Sequence, residues 1–243
     1  MSKGFIYIVA SAKNKYNQEF FCNVPTDFGG RLYFGPCKKP MRPKMKVGDF
    51  IFGISPANPK PRKIIFETQI DEKISFKEAY GRFPQLRGPD GPIHVRPVNR
   101  KNCSFPEKMY EHIAGAMHPN DWKQDLATPD LDAFFVCTEG KKWLGRFGPD
   151  IDNEILDFLK GCSVHNKTGM LKEYNHDTTL ANPIAYGRLY TGLHLETDKP
   201  KKLMNLINDR LALNPPNFDI LKAELPRKGL NRRAKKPHSR KCS

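Results

Sequence analysis

The residues best placed to do chemistry fall in one short stretch, RFPQLRGPDGPIHVRPV, residues 82 to 98. Its seventeen positions hold three arginines, four prolines, two glycines, one carboxylate (Asp90) and one imidazole (His94). Pro89 fixes φ for a tight turn, and Asp90 followed by Gly91 suits a sharp reversal. So rigid and basic a loop, with one acid at its centre, has two readings. It is an irregular crossover in which Asp90 satisfies local backbone N–H groups. Or it is a nucleic-acid site that offers a catalytic or base-reading carboxylate, with Arg87 and Arg96 holding flanking phosphates and His94 nearby.

Two further clusters compete for that chemistry. In NVPTDFGGRLYFG, Asn23, Asp27 and Arg31 surround Gly29-Gly30, which is also the composition of a polar hairpin turn. In HPNDW, Asn120, Asp121 and Trp122 follow His118, a set able to bond and stack a base and equally able to stop one helix and cap the next. The Asp-Phe-Gly triplet at 27–29 stands without a glycine-rich nucleotide loop, an HRD motif or a strand lysine, so it is no sign of a kinase. His176 and Asp177 in KEYNHDTT are adjacent, point to opposite sides of an extended chain, and read as part of a polar loop. No Walker loop, GxSxG elbow, HEXXH or deaminase HxE with PCxxC occurs, which disfavours NTP hydrolysis, serine hydrolysis and zinc-dependent deamination.

Composition points the same way as the loop. The chain of 243 residues carries a formal charge of +15. Such a surface gains affinity for polyphosphate by counterion release, without sequence specificity. The last eighteen residues hold eight Lys or Arg and no acid, and have almost nothing apolar to bury. They read as a disordered basic tail, either a phosphate-binding arm or a solubilising extension. The six cysteines include no CxxC, and their apolar settings (EFFCNV, AFFVCT) suit reduced core thiols rather than metal ligands. No metal and no nucleotide cofactor are expected. No apolar run reaches the length of a membrane span, and FIYIVA is strand-sized rather than a signal-peptide core.

The elements that must position these residues are legible from periodicity. Alternation and β-branching predict strands at 5–11, 19–24, 31–35, 48–55, 62–70 and 132–139. The two around ANPKP are expected to pair as a hairpin. Ser75 three residues before Glu78 has capping-box spacing and starts a short helix. Pro106 at a first helical position predicts a helix over 106–118. Ile151, Ile155, Phe158 and Leu159 mark an amphipathic helix, as do Leu203, Met204, Ile207 and Leu211, and residues 185–196 read as a further strand. One α+β domain over 1–225, followed by a basic tail over 226–243, is the expected organisation.

Val47-Gly48-Asp49 leading into the apolar run Phe50 to Ile54 resembles the step into a strand of the PUA-like small β-barrels, folds associated with modified bases or RNA. The larger series, FIYIVA, GDFIFGISP, a strand ending in FETQI, FKEAYGRFP and LRGPDGPIHVRP, resembles the nucleotide modification associated domain 2 family of phages and bacterial defence loci. The likeness covers roughly residues 1 to 140. It implies a mixed or antiparallel PUA-like barrel or sheet with peripheral helices. It also implies, as one activity of the family, an antiphage DNA glycosylase that removes glucosylated hydroxymethylcytosine from phage DNA. Phage DNA would be the partner of a bacterial, cytoplasmic and monomeric enzyme; a reader that binds a modified base without cleaving it is the alternative. An N-glycosidase needs a carboxylate for the positive charge on the sugar, a donor near the departing base, and a pocket for a flipped nucleotide. On chemistry, Asp90, His94 and Asp27 are the catalytic candidates. Asn23, Arg31, Tyr33, Arg87, Arg96, Asn120, Asp121 and Trp122 are the base- and DNA-binding candidates, with Phe34, Tyr80 and Phe83 as further aromatic surfaces.

Overall fold

The structure is a computed structural model. It describes residues 2–13, 19–22, 25–35, 41–55, 62–88, 91–113, 122–137, 142–145, 148–159, 163–165, 171–173, 193–195, 198–213 and 215. The first strands are β1 (Gly4–Ile8), β2 (Ala10–Lys13), β3 (Glu19–Cys22), β4 (Thr26–Phe28) and β5 (Arg31–Phe34). Next come β6 (Phe50–Ile54), β7 (Ile64–Ile74), helix α1 (Phe76–Arg82), β8 (Val95–Pro97) and β9 (Tyr110–His112). A short α2 (Trp122–Asp125) precedes β10 (Phe134–Cys137) and β11 (Lys142–Trp143). The remainder is α3 (Asn153–Leu159), β12 (Ser163–His165), β13 (Leu171–Glu173), β14 (Leu193–Leu195) and α4 (Lys199–Leu213).

The apolar run Phe50 to Ile54 is buried at every position, and it forms the middle of the sheet. β6 lies parallel to β1 and antiparallel to β7, so the expected hairpin across residues 56–61 is present. The Gly-Asp step before it is turn chemistry. Asp49 is buried, and its two carboxylate oxygens accept from the backbone N–H groups of Lys3 and Lys46, both at 2.8 Å. That pins the start of β1 to the turn that launches β6. β7 is eleven residues long and gives its first half to β6 and its second to β10.

The strand order is β13-β12-β14-β1-β6-β7-β10-β5-β4, with β11 also on β7. Among the described residues only β1 with β6 is a parallel pair of this sheet, so it is mixed. Among the described residues it stays open: its ends, β13 and β4, do not meet. Three apolar clusters pack on it. Phe5, Leu32, Ile51, Ile70 and Phe135 form one. Phe50, Phe52, Ile155, Leu203 and Ile207 form a second, which takes in the apolar faces of α3 and α4. Tyr33, Phe76, His94's neighbour Val95, Tyr110, Trp122 and Phe134 belong to the third. No helix among the described residues is long and apolar enough to cross a membrane.

Three local expectations need correction. The strand expected over 5–11 breaks at Val9, whose N–H goes to Ile54 O, and the chain continues as β2 in a separate pairing with β3. The polar loop expected over 172–179 opens inside β13, which ends at Glu173; residues 174–179 lie outside the described set. Of the helix expected over 106–118, residues 106–110 form only a turn, and 114–118 lie outside the described residues. Lys108 N–H bonds Ser104 O and Tyr110 N–H bonds Pro106 O, but Tyr110 to His112 then pair with Val95 to Pro97. Val98 N–H to Met109 O at 2.8 Å extends that ladder, and the cross-strand bonds outweigh the helix propensity of EKMYEH. Of the strand expected over 185–196, Leu193 to Leu195 are strand and the rest lie outside the described residues, as does the tail.

Candidate nucleic-acid interface

The proline-rich loop is seated between α1 and β8, and its seating starts from α1. Ser75 caps the helix by accepting Glu78 N–H at 3.0 Å, as the capping-box spacing requires. Asp132 accepts the next free N–H, that of Phe76, at 2.8 Å, and also the hydroxyl of Tyr110 at 2.6 Å. Lys77 N–H donates to the same hydroxyl at 3.1 Å. One carboxylate therefore ties the start of α1 to β9, and burial pushes the Tyr110 phenol far above its ordinary range.

After α1 the chain makes a 3-10 turn over Pro84 to Leu86, and the loop then closes on itself. Ile93 N–H donates to Leu86 O and Gly88 N–H donates to Ile93 O, both at 3.2 Å. A Cβ on Gly91 would sit 2.2 Å from Leu86 O, and one on Gly35 would sit 2.4 Å from Pro92 O. Only glycine fits either place, so the loop lies against its own stem and against the exit of β5. Pro89 and Asp90, between the two closed ends, lie outside the described residues.

Beneath the loop runs a layer of rings. Tyr33 meets Phe83 edge-on at 5.2 Å and Phe134 at 6.2 Å. Phe76 meets His94 at 5.9 Å, His94 meets His112 at 5.8 Å, and His112 stacks on Trp122 at 6.3 Å. His94 is 4% exposed, so it belongs to the root of the loop rather than to its surface. Burial raises the Tyr33 phenol, against the opposing field of Arg31.

Five arginines lie around the layer, each with a partner. Arg87 lies over the Tyr80 ring at 4.1 Å and donates from Nε to Tyr80 O at 2.7 Å. Arg82 grips Glu72 through both terminal nitrogens, at 2.6 and 3.0 Å, and lies 5.1 Å above the Phe83 ring. Arg96 and Arg100 both pair with Glu111 across the β8–β9 hairpin. Arg31 reaches Asp71 at 3.4 Å. Planar guanidinium groups stacked on rings suit phosphates and bases alike.

Of the residues singled out in the sequence, Tyr33, Arg87, His94 and Trp122 converge on this layer, and Arg96 lies on the adjoining hairpin. Arg31 and Tyr33 share one face of β5. Asp27 pairs across β4 and β5 with Leu32, on the opposite face. Phe34 packs on Phe66, away from the rings. Asn23, Asp90, Asn120 and Asp121 lie outside the described residues. Sequence reading missed Arg82, His112, Glu111 and Asp132. Only the alternation in VRPV, read as part of the loop, and in YEHI, read as part of a helix, holds a signal for the hairpin whose second strand carries Glu111 and His112. No group of three or more His, Cys, Asp or Glu among the described residues is arranged to hold a metal ion.

The fold and this face define an open α+β sheet protein with one aromatic layer rimmed by arginines. The chain belongs to the nucleotide modification associated domain 2 family, whose model matches residues 1–180. That membership associates it with modified nucleotides. No curated protein and no solved structure matches it.

Proposed function

We propose that the protein is a DNA glycosylase that excises a modified cytosine, in our reading glucosylated hydroxymethylcytosine, from phage DNA and leaves an abasic site. The observation that supports this best is the loop stem closed by bonds among Leu86, Gly88, Gly91 and Ile93, the residues that flank Asp90 in the chain, beside a layer of rings. The nearby carboxylates Glu72, Glu111 and Asp132 are committed to Arg82, to Arg96 and Arg100, and to Tyr110. Asp90 is therefore the acid we assign to chemistry, with Asp27 and Asp121 next in order.

In this reading the nucleotide leaves the stack and its base lies against the partly exposed rings of Tyr80 and Phe83 at the edge of the layer, while the arginines meet its phosphates. The bond between the sugar C1′ and the base nitrogen breaks as positive charge builds on the sugar. Asp90 stabilises that charge and orients the water whose oxygen bonds C1′. Water is thereby split across the bond: its oxygen goes to C1′, and the proton it gives up passes by way of Asp90 and solvent to the nitrogen of the departing base. The reaction asks for no metal and no nucleotide cofactor.

Incubation with glucosylated phage DNA followed by detection of abasic sites tests this directly. Product on modified DNA alone supports excision. Binding that requires the modification and yields no product makes the protein a reader. Salt-sensitive binding indifferent to modification leaves it a general nucleic-acid binder.

A further inference from the structure

The tip of the β4–β5 hairpin carries an aromatic residue that the core does not use. Phe28 ends β4, lies directly opposite Arg31, and is 46% exposed. Gly29 and Gly30 join the two strands with φ of 57° and 81°, the double positive φ of a tight two-residue turn that splays neither strand. A Cβ built on either glycine has no described atom within 4 Å, so their presence is dictated by backbone conformation and the tip stands clear. β4 is also the last strand of the sheet. Natural edge strands are blunted by charge or cover, and a phenylalanine there works against that unless something meets it.

Direction and distance connect this tip to the ring layer. Opposed residues of an antiparallel pair project to the same side, and so do positions two apart on one strand. Phe28, Arg31 and Tyr33 therefore share a face, with Tyr33 about 7 Å further along β5 than Arg31. Tyr33 in turn touches Phe83, the residue before the 3-10 turn into the loop. A glycine-tipped finger bearing one exposed ring thus stands beside the edge of the ring layer at Tyr33 and Phe83.

We infer that Phe28 is a wedge that enters the base stack of duplex DNA beside the displaced nucleotide, an assignment that rests on the proposed handling of a flipped base. Apolar side chains inserted between base steps unstack them, and the ring fills the space that the departing base vacates. Phe28 touches the helix rather than the reacting atoms, so it is a positioning residue. The partner is base-paired nucleic acid; a single strand has no stack to enter.

The test uses the full 243-residue chain and duplex oligonucleotides with 2-aminopurine next to a glucosylated cytosine or a mismatch, compared with the same strands unpaired. Wild type is expected to raise 2-aminopurine fluorescence on the duplex before any bond is cut. Phe28→Ala should lose most of that rise and bind the duplex about tenfold more weakly, the equivalent of one lost unstacking contact. Its affinity for the single strand should be unchanged, and Phe28→Leu should restore the rise. Since the readout precedes chemistry, a wild-type rise that Phe28→Ala abolishes supports the wedge even where no abasic product forms. No rise with wild type overturns it, as does an equal rise with Phe28→Ala. A Phe28→Ala defect of the same size on single strands, or a defect traced to lost self-association, overturns it too.

Discussion

The Tyr110 hydroxyl donates to Asp132 at 2.6 Å while the other oxygen of Asp132 receives Phe76 N–H at 2.8 Å. Two elements that flank the proline-rich loop, α1 and the β8–β9 hairpin, are thereby fixed to the entrance of β10. The loop inherits its position from this bond, although neither residue belongs to it.

Tyr110→Phe should therefore cost about 1–2 kcal/mol of stability, because it strips the carboxylate of a buried donor. The loss should depend on pH. The folded phenol is raised above its ordinary value, whereas the unfolded phenol ionises near pH ~10. The folded state therefore holds more protons above that pH, and the bond's contribution is complete below it and declines as pH rises. Urea titrations of wild type and variant at pH 8 and pH 10.5 should show the gap between them narrowing at the higher pH. A gap that widens would reverse the assignment.

Glu111 neutralises Arg96 and Arg100 at the surface, where the two arginine side chains are 59% and 43% exposed. Glu111→Gln should release both for phosphate contact. DNA affinity should rise for modified and plain duplex alike, and the slope of log affinity against log salt should steepen by roughly 1–2. Melting temperature should barely move, since exposed pairs are worth less than about 1 kcal/mol. Salt titrations by fluorescence anisotropy check this; an unchanged slope would take the hairpin away from the phosphates.

Residues 226–243 are proposed as a nonspecific arm. Eight cations in one segment neutralise phosphates but do not position a base. Deleting the segment should weaken binding to modified and plain DNA equally and flatten the salt dependence. An unchanged salt slope would count against the arm.

How far the sequence carried the fold depended on whether a signal was local. The β6–β7 hairpin was legible because two apolar runs flank one turn, and α1 because Ser75 and Glu78 are three residues apart. Tyr110 to His112 were misread because a proline followed by mixed apolar and charged residues suits a helix start as well as a strand. Their pairing with Val95 to Pro97 is decided by bonds across the hairpin, which propensity does not see. The site follows the same rule. Arg87 and His94 were visible because one loop contains them. Asp132, 56 residues from the N–H it receives at Phe76, was not. Glu111, facing an arginine 15 residues away, was equally hidden.

The most direct measurement is single-turnover excision from glucosylated DNA by wild type and Asp90→Asn, with DNA affinity and melting temperature recorded beside it. If Asp90 stabilises charge that appears only as the glycosidic bond breaks, its amide should leave affinity nearly intact. The rate should fall by roughly a hundredfold or more, on the order of 3 kcal/mol of transition-state stabilisation. A normal rate in Asp90→Asn would return that residue to bracing its own turn and move suspicion to Asp27 or Asp121. Wild type that binds this DNA and never forms an abasic site would contradict excision itself.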